Sequence, residues 1–141
     1  MGSKSGFSLI ELTVVVAILG ILSAIGIVAY NGYIDSTRQT TAFNIMQQIS
    51  LAQTEWFSDN GRYYETDTGA NCEADSDDSD EIETNLLGGE DVITQDLGYE
   101  MCTVTDNTVK YVIIANQTAN TDCVLTLNGI YERSVSADCN N

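Results

Sequence analysis

The 141-residue chain has no proline and no histidine, and only five of its residues are lysine or arginine. Without proline no rigid ring interrupts a helix, so helix ends must come from glycine, asparagine or aspartate. Without histidine, the side chain that most often works as general acid or base near neutral pH is missing. Serine, cysteine and acidic residues are present, but none stands as a nucleophile beside a positioned base. No catalytic residue is assigned and no enzyme is expected. The shortage of cations, set against 21 Asp and Glu and a formal net charge of −16, opposes gripping a phosphate backbone, which needs clustered Lys and Arg. No nucleic-acid partner is expected. Such a charge favours solubility and fits a salty or cation-rich setting.

What the chain does have is a long uncharged run near its start. From Leu12 to Ile34 no residue is charged. As a helix rising about 1.5 Å per residue this run is about 35 Å long, enough to cross a hydrocarbon core of about 30 Å. One carboxylate, Glu11, stands at its beginning, where insertion into lipid is penalised. Ahead of it lies a short polar leader, Met1 to Gly6, with Lys4 as its one basic residue. A secretory signal has a basic region, an apolar region of about 7–15 residues and then a cleavage site. Here the only plausible cut precedes the apolar segment, so that segment stays on the mature protein. Lys4 keeps the leader cytoplasmic, which places the acidic remainder outside.

Gly6-Phe7-Ser8-Leu9-Ile10-Glu11-Leu12 resembles the prepilin leader and cleavage site of type IV pilins and their secretion-system relatives. The resemblance implies that a prepilin peptidase cuts between Gly6 and Phe7, that Phe7 becomes the N-methylated terminus, and that Glu11 is the family's assembly acid. Cleavage would create an α-amine with a pKa of about 8, charged at neutral pH. Glu11 lies four residues on, within reach of its own terminus or a neighbour's, so assembly would relieve its charge. Tyr30 and Tyr33 match aromatic positions common in type IVa pilins, and Arg62-Tyr63-Tyr64 after Asn60-Gly61 resembles a segment that often follows the long helix. The family usually carries a proline in the second half of the span; Val28 occupies that place here. Gly20 and Gly26 are the weak points of the span, each costing up to about 1 kcal/mol against alanine. The resemblance implies unwinding of this region in a filament; close helix packing at the two glycines is the alternative.

Beyond the span, Ala42, Ile45, Met46, Ile49, Ala52 and Trp56 recur at three- and four-residue steps, while Asp35, Gln39, Gln47, Gln48 and Gln53 occupy much of the rest. The pattern predicts one helix from Phe7 to near Ser58, apolar all round and then striped, stopped at Asp59-Asn60-Gly61. Trp56 and Phe57 are expected to pack under a sheet. Residues 59–97 read as mostly loop, with the acidic tract Glu73–Glu81 solvated and partly mobile. A calcium site there is the weaker alternative, because the EF-hand glycine and distal glutamate are missing. No metal ligand and no cofactor are assigned. Tyr99–Val104 and Val109–Ala115 read as strands joined through Asp106-Asn107. Cys123–Leu127 and Ile130–Val135 read as strands flanking Asn128-Gly129, a strong signal for a two-residue hairpin.

Cys72, Cys102, Cys123 and Cys139 fit no zinc spacing; in an exported domain an even count implies disulfides, with three connectivities open. The strand positions favour Cys72–Cys102 and Cys123–Cys139, and the second pair resembles the disulfide-bounded C-terminal region of many pilins.

The expected fold class is α+β: a long N-terminal helix packed on a four-stranded antiparallel sheet. The divisions are leader 1–6, membrane-spanning or filament-core helix 7–34 and globular head 35–141, with helix 35–58, loop 59–97, sheet 98–135 and disulfide-bounded segment 123–139. The resemblance implies a pilus subunit held in the inner membrane and then assembled as a homo-oligomeric helical filament on the cell surface. Its partners would be prepilin peptidase and the pilus assembly machinery, and its uses adhesion, motility or uptake. A minor pilin or a type II secretion pseudopilin shares the N-terminal motif, and a membrane-anchored acidic binding protein that never assembles is the rival from another class.

Overall fold

A computed structural model describes residues 6–69 and 72–140; residues 1–5 of the leader lie outside the described residues. The chain divides into two compact units, Met1–Thr37 and Arg38–Asn141. Helix α1, Leu9–Asn60, runs unbroken from the first into the second. In the first unit its apolar side chains, from Leu9 through Ile27, are exposed on every side. Thr13 and Ser23 turn their hydroxyls back to the carbonyls of Ile10 and Leu19, at 2.9 and 2.7 Å. A helix apolar all round, with its hydroxyls satisfied by its own backbone, suits a lipid or protein surrounding. Its length and composition are those of a membrane-crossing helix.

In the second unit the helix becomes striped. Ala42, Ile45, Met46 and Ile49 are buried against Met101, Ile113, Ala115, Leu125 and Leu127 of the sheet. The sheet is an antiparallel meander: β1 Tyr99–Asp106, β2 Lys110–Gln117, β3 Val124–Asn128 and β4 Arg133–Val135, in that order. Met101 pairs with Ala115, which pairs with Leu125; one residue on, Cys102 pairs with Ile114. Successive side chains on a strand point to opposite faces. The first row therefore meets α1, while Cys102, Val104 and Ile114 form a second small cluster with Cys72. This is an α+β fold with the long helix laid on a four-stranded antiparallel sheet.

Three expectations give way to the structure. The segment read as loop over 59–97 contains helix α2, Ser76–Asn85. Asp75 caps it, accepting from the backbone N–H of Asp77 and Asp78 at 2.9 and 3.0 Å, while Asp78 reaches back to the Asp75 N–H. Two donors left over at a helix start are thereby satisfied, and the acids of the first turn face the positive end of the helix dipole. Ser79, Ile82 and Glu83 are its buried face. The acidic tract is thus the start of an anchored helix. Secondly, Trp56 and Phe57 pack on the segment following the helix, not under the sheet: Trp56 meets Tyr64 edge-on at 5.1 Å, and Phe57 stacks on Tyr63 at 4.6 Å.

The third correction concerns Asn128-Gly129. Instead of a two-residue turn, residues 129–132 form a wider loop around Asn128, and β4 starts at Arg133. The Asn128 carboxamide oxygen accepts from the N–H of Ile130 (3.1 Å) and Glu132 (2.9 Å), and Tyr131 takes the left-handed conformation at φ +64°. Glycine is required at 129 by close approach: a Cβ there would collide with the carbonyl oxygen of Val109 and crowd Tyr111. Gly129→Ala should therefore lower head stability by about 1–3 kcal/mol through forced displacement of the β2 end. Denaturant unfolding of the full chain in detergent, followed by near-ultraviolet circular dichroism, measures it; an unchanged midpoint would refute the steric argument.

Candidate functional site

The residues singled out for processing and assembly lie together at the start of α1. Gly6, Phe7 and Ser8 precede the helix and are exposed, Phe7 at 89%. The Ser8 N–H donates to Oε2 of Glu11 at 2.8 Å, and the Leu12 N–H closes the first turn on the Ser8 carbonyl at 3.2 Å. Ser8-x-x-Glu11 is the spacing of a capping box, and the glutamate arm of that motif is made here. The acid at the head of the apolar helix thus closes its own helix start and marks where helix gives way to the Gly6-Phe7 bond. Gly20 and Gly26 lie within the continuous helix, with nothing within 4 Å of where a Cβ would stand. Val28 is helical.

In the head, the structure joins Cys72 to Cys102 and Cys123 to Cys139, with Cα–Cα distances of 6.4 and 4.5 Å. The first ties the connector before α2 to β1; the second ties the C-terminal turn to the start of β3. On the chain-entropy model each closure of this length stabilises by about 3–4 kcal/mol, a mechanism that is disputed. Among the described residues, no group of three or more His, Cys, Asp or Glu converges to hold a metal ion.

Residues 1–27 match the prokaryotic N-terminal methylation motif. The chain is 43% identical over 58 residues to the fimbrial protein EcpC of Eikenella corrodens, an alignment covering 41% of this chain and 38% of that one. It is 36% identical over 67 residues to the type IV major pilin PilE1 of Neisseria gonorrhoeae, covering 48% and 41%. Over 89 residues it is 36% identical to the type IV major fimbrial protein FimA of Dichelobacter nodosus, covering 63% and 47%. The chain is type IV pilin-like. The matches span less than half the length of each of these relatives, and no solved structure matches.

Two head residues of this pilin-like chain escape sequence inspection. Gln53, assigned by its polarity to the outer face, is fully buried. Its amide donates to the Tyr64 carbonyl and accepts from the Tyr64 N–H, both at 2.8 Å. It takes the part of a neighbouring strand and docks the post-helix segment on α1. Its position, four residues after Ile49 and seven after Met46, is the signal that places it on the buried stripe. Glu83 is the other: 8% exposed, it accepts from the N–H groups of Val92 (2.7 Å) and Ile93 (2.5 Å).

The Tyr64 hydroxyl donates to Glu81 at 3.1 Å and accepts from Asn85 at 2.9 Å. Burial, then the Glu81 carboxylate, push its pKa up to about 12 from 10.0. Between those values the unfolded chain gives up a proton that the folded chain keeps, so stability falls as pH rises from about 10 to about 12. Ultraviolet difference titration should show a late-ionising tyrosine that Tyr64→Phe removes; its persistence in that variant would assign the late ionisation elsewhere.

Proposed function

We propose that this chain is the structural subunit of a type IV pilus. It is stored in the inner membrane through the apolar half of α1, cut between Gly6 and Phe7, methylated at Phe7 and assembled as a homopolymer on the cell surface. One observation carries the reading: the methylation motif opens a single helix that carries Glu11 in its first turn, passes through an uncovered apolar stretch and ends in a disulfide-stapled α+β head. An uncovered apolar helix needs lipid or other helices around it, and a filament of helices packed together supplies the second. The two disulfides suit a head exposed outside the cytoplasm. The role is structural, with prepilin peptidase and the assembly machinery as partners.

Shearing surface filaments from the cells and identifying their subunit by mass spectrometry tests this. The expected result is a filament whose major component is this chain, starting at methylated Phe7. An intact chain in the membrane fraction, still carrying Met1–Gly6 and absent from every filament, would make it an anchored protein instead. Presence in trace amounts beside another major subunit would make it a minor pilin.

A further inference from the structure

All 21 acidic residues except Glu11 lie beyond residue 34, against four cations there: Arg38, Arg62, Lys110 and Arg133. Among the described residues none of these cations takes part in an ion pair. Heads of this charge repel one another. A filament that crowds them must bring cations of one copy to acids of another, since like charges set against each other are strongly unfavourable.

Arg133 is the cation best placed for that. It borders an open groove of about 220 Å³ lined by Gln47, Leu51, Leu127, Tyr131 and Arg133. Leu51 and Tyr131 are 66% and 61% exposed, and the neighbouring Ile130 and Val135 are exposed as well. The Arg133 guanidinium lies over the Phe43 ring, 5.2 Å from its centroid, so the charge is held in place at the edge of an apolar surface. Helix α2 offers the complementary surface. It is capped by Asp75 and anchored through Ser79, Ile82 and Glu83, and it leaves Asp77, Asp80 and Thr84 exposed at three- and four-residue spacing. Surfaces already rigid lose little entropy on docking.

We propose that the Arg133 groove receives a second copy of this chain, which presents the Asp77–Asp80 face of its α2. The two surfaces differ, so the contact is head-to-tail and propagates as an open helix instead of closing a dimer. The proposal rests on the filament reading and names a contact between the globular domains of neighbouring copies.

The test compares sheared filament yield, and its loss in rising salt, for wild type, Arg133→Glu, and Arg133→Glu combined with Asp77→Arg and Asp80→Arg. Arg133→Glu is expected to lower yield by roughly tenfold or more, because a repulsion replaces an attraction, and the combined variant to restore most of it. Normal yield with Arg133→Glu overturns the proposal, and so does loss that the α2 reversal fails to repair. Cleavage and membrane retention should be unchanged throughout. If Arg133→Glu does not accumulate, Arg133→Gln and Leu51→Ser must each lower yield, and normal yield in either overturns the proposal. A wild type that forms no filaments fails the filament reading itself and this contact with it.

Discussion

Glu11→Ala is expected to be cleaved after Gly6 and retained in the membrane, yet to enter filaments roughly ten- to a hundredfold less than wild type. A carboxylate at the end of an apolar helix is costly; a charged Asp at a helix centre costs about 2.5–3.5 kcal/mol by insertion measurements, and a position near the end costs less. In the uncut chain the Ser8 N–H, 2.8 Å from Oε2, satisfies part of that carboxylate. On the proposed reading, cleavage would add an ammonium at Phe7, four residues away, and a neighbouring copy would bring another. Pairing of opposite charges in low dielectric is far stronger than in water, and each 1.4 kcal/mol is a factor of ten. Removing the acid removes that preference for the assembled state and leaves the new amine without its counter-charge.

Glu11→Gln separates the two roles of the side chain. Its amide oxygen keeps an acceptor for the Ser8 N–H but carries no charge. If helix capping were the whole contribution, the glutamine variant would assemble normally; if charge pairing matters, it should fail nearly as badly as alanine. Mass spectrometry of the mature chain, to confirm the cut and the methyl group, together with the amount of sheared filament, reads both outcomes. Normal filament yield from Glu11→Ala would sink the idea.

The long helix and the strands of the head were legible because each writes a period into the sequence. The stripe Ala42, Ile45, Met46, Ile49 announces a helix with one buried face, and the β-branched runs announce β1 and β2. Helix α2 was not legible that way, since its ten residues include a single large apolar side chain, Ile82. Its signals were polar ones: the Asp75-x-x-Asp78 cap and the spacing of Ser79, Ile82 and Glu83. Gln53 misled in the opposite sense, because its identity says surface while its position says core. Asn128-Gly129 is a turn in sequence and in structure, but the side chain of Asn128 closes a wider loop than the dipeptide suggests. At the N-terminal site, Ser8 and Glu11 were readable as a motif. On the filament reading proposed above, the partners that would complete the site belong to other copies, which no single chain contains.

Glu83→Ala should be among the most destabilising single changes in the head, lowering unfolding free energy by about 2–4 kcal/mol. The carboxylate of Glu83 is the joint between α2 and the chain that leads into β1: it takes the N–H groups of Val92 and Ile93 at 2.7 and 2.5 Å. Ile93 is 7% exposed and Val92 is half-buried. Alanine leaves two backbone N–H groups without an acceptor, and each buried unsatisfied group costs about 1–3 kcal/mol. A domain of this size has only about 5–15 kcal/mol in all, so the melting temperature should fall by roughly 10 °C or more. Both N–H groups donate to the same oxygen, Oε1, so Glu83→Gln can keep both bonds on its amide oxygen while losing the charge that strengthens them, and it should fall between wild type and alanine. Thr84→Ala, on the exposed side of the same helix, should stay within about 0.5 kcal/mol of wild type, which separates loss of the joint from a general weakening of α2. Thermal unfolding of the three variants in detergent, followed by near-ultraviolet circular dichroism, provides the comparison. A Glu83→Ala chain as stable as Thr84→Ala would show that water reaches Val92 and Ile93 and that the joint is not closed.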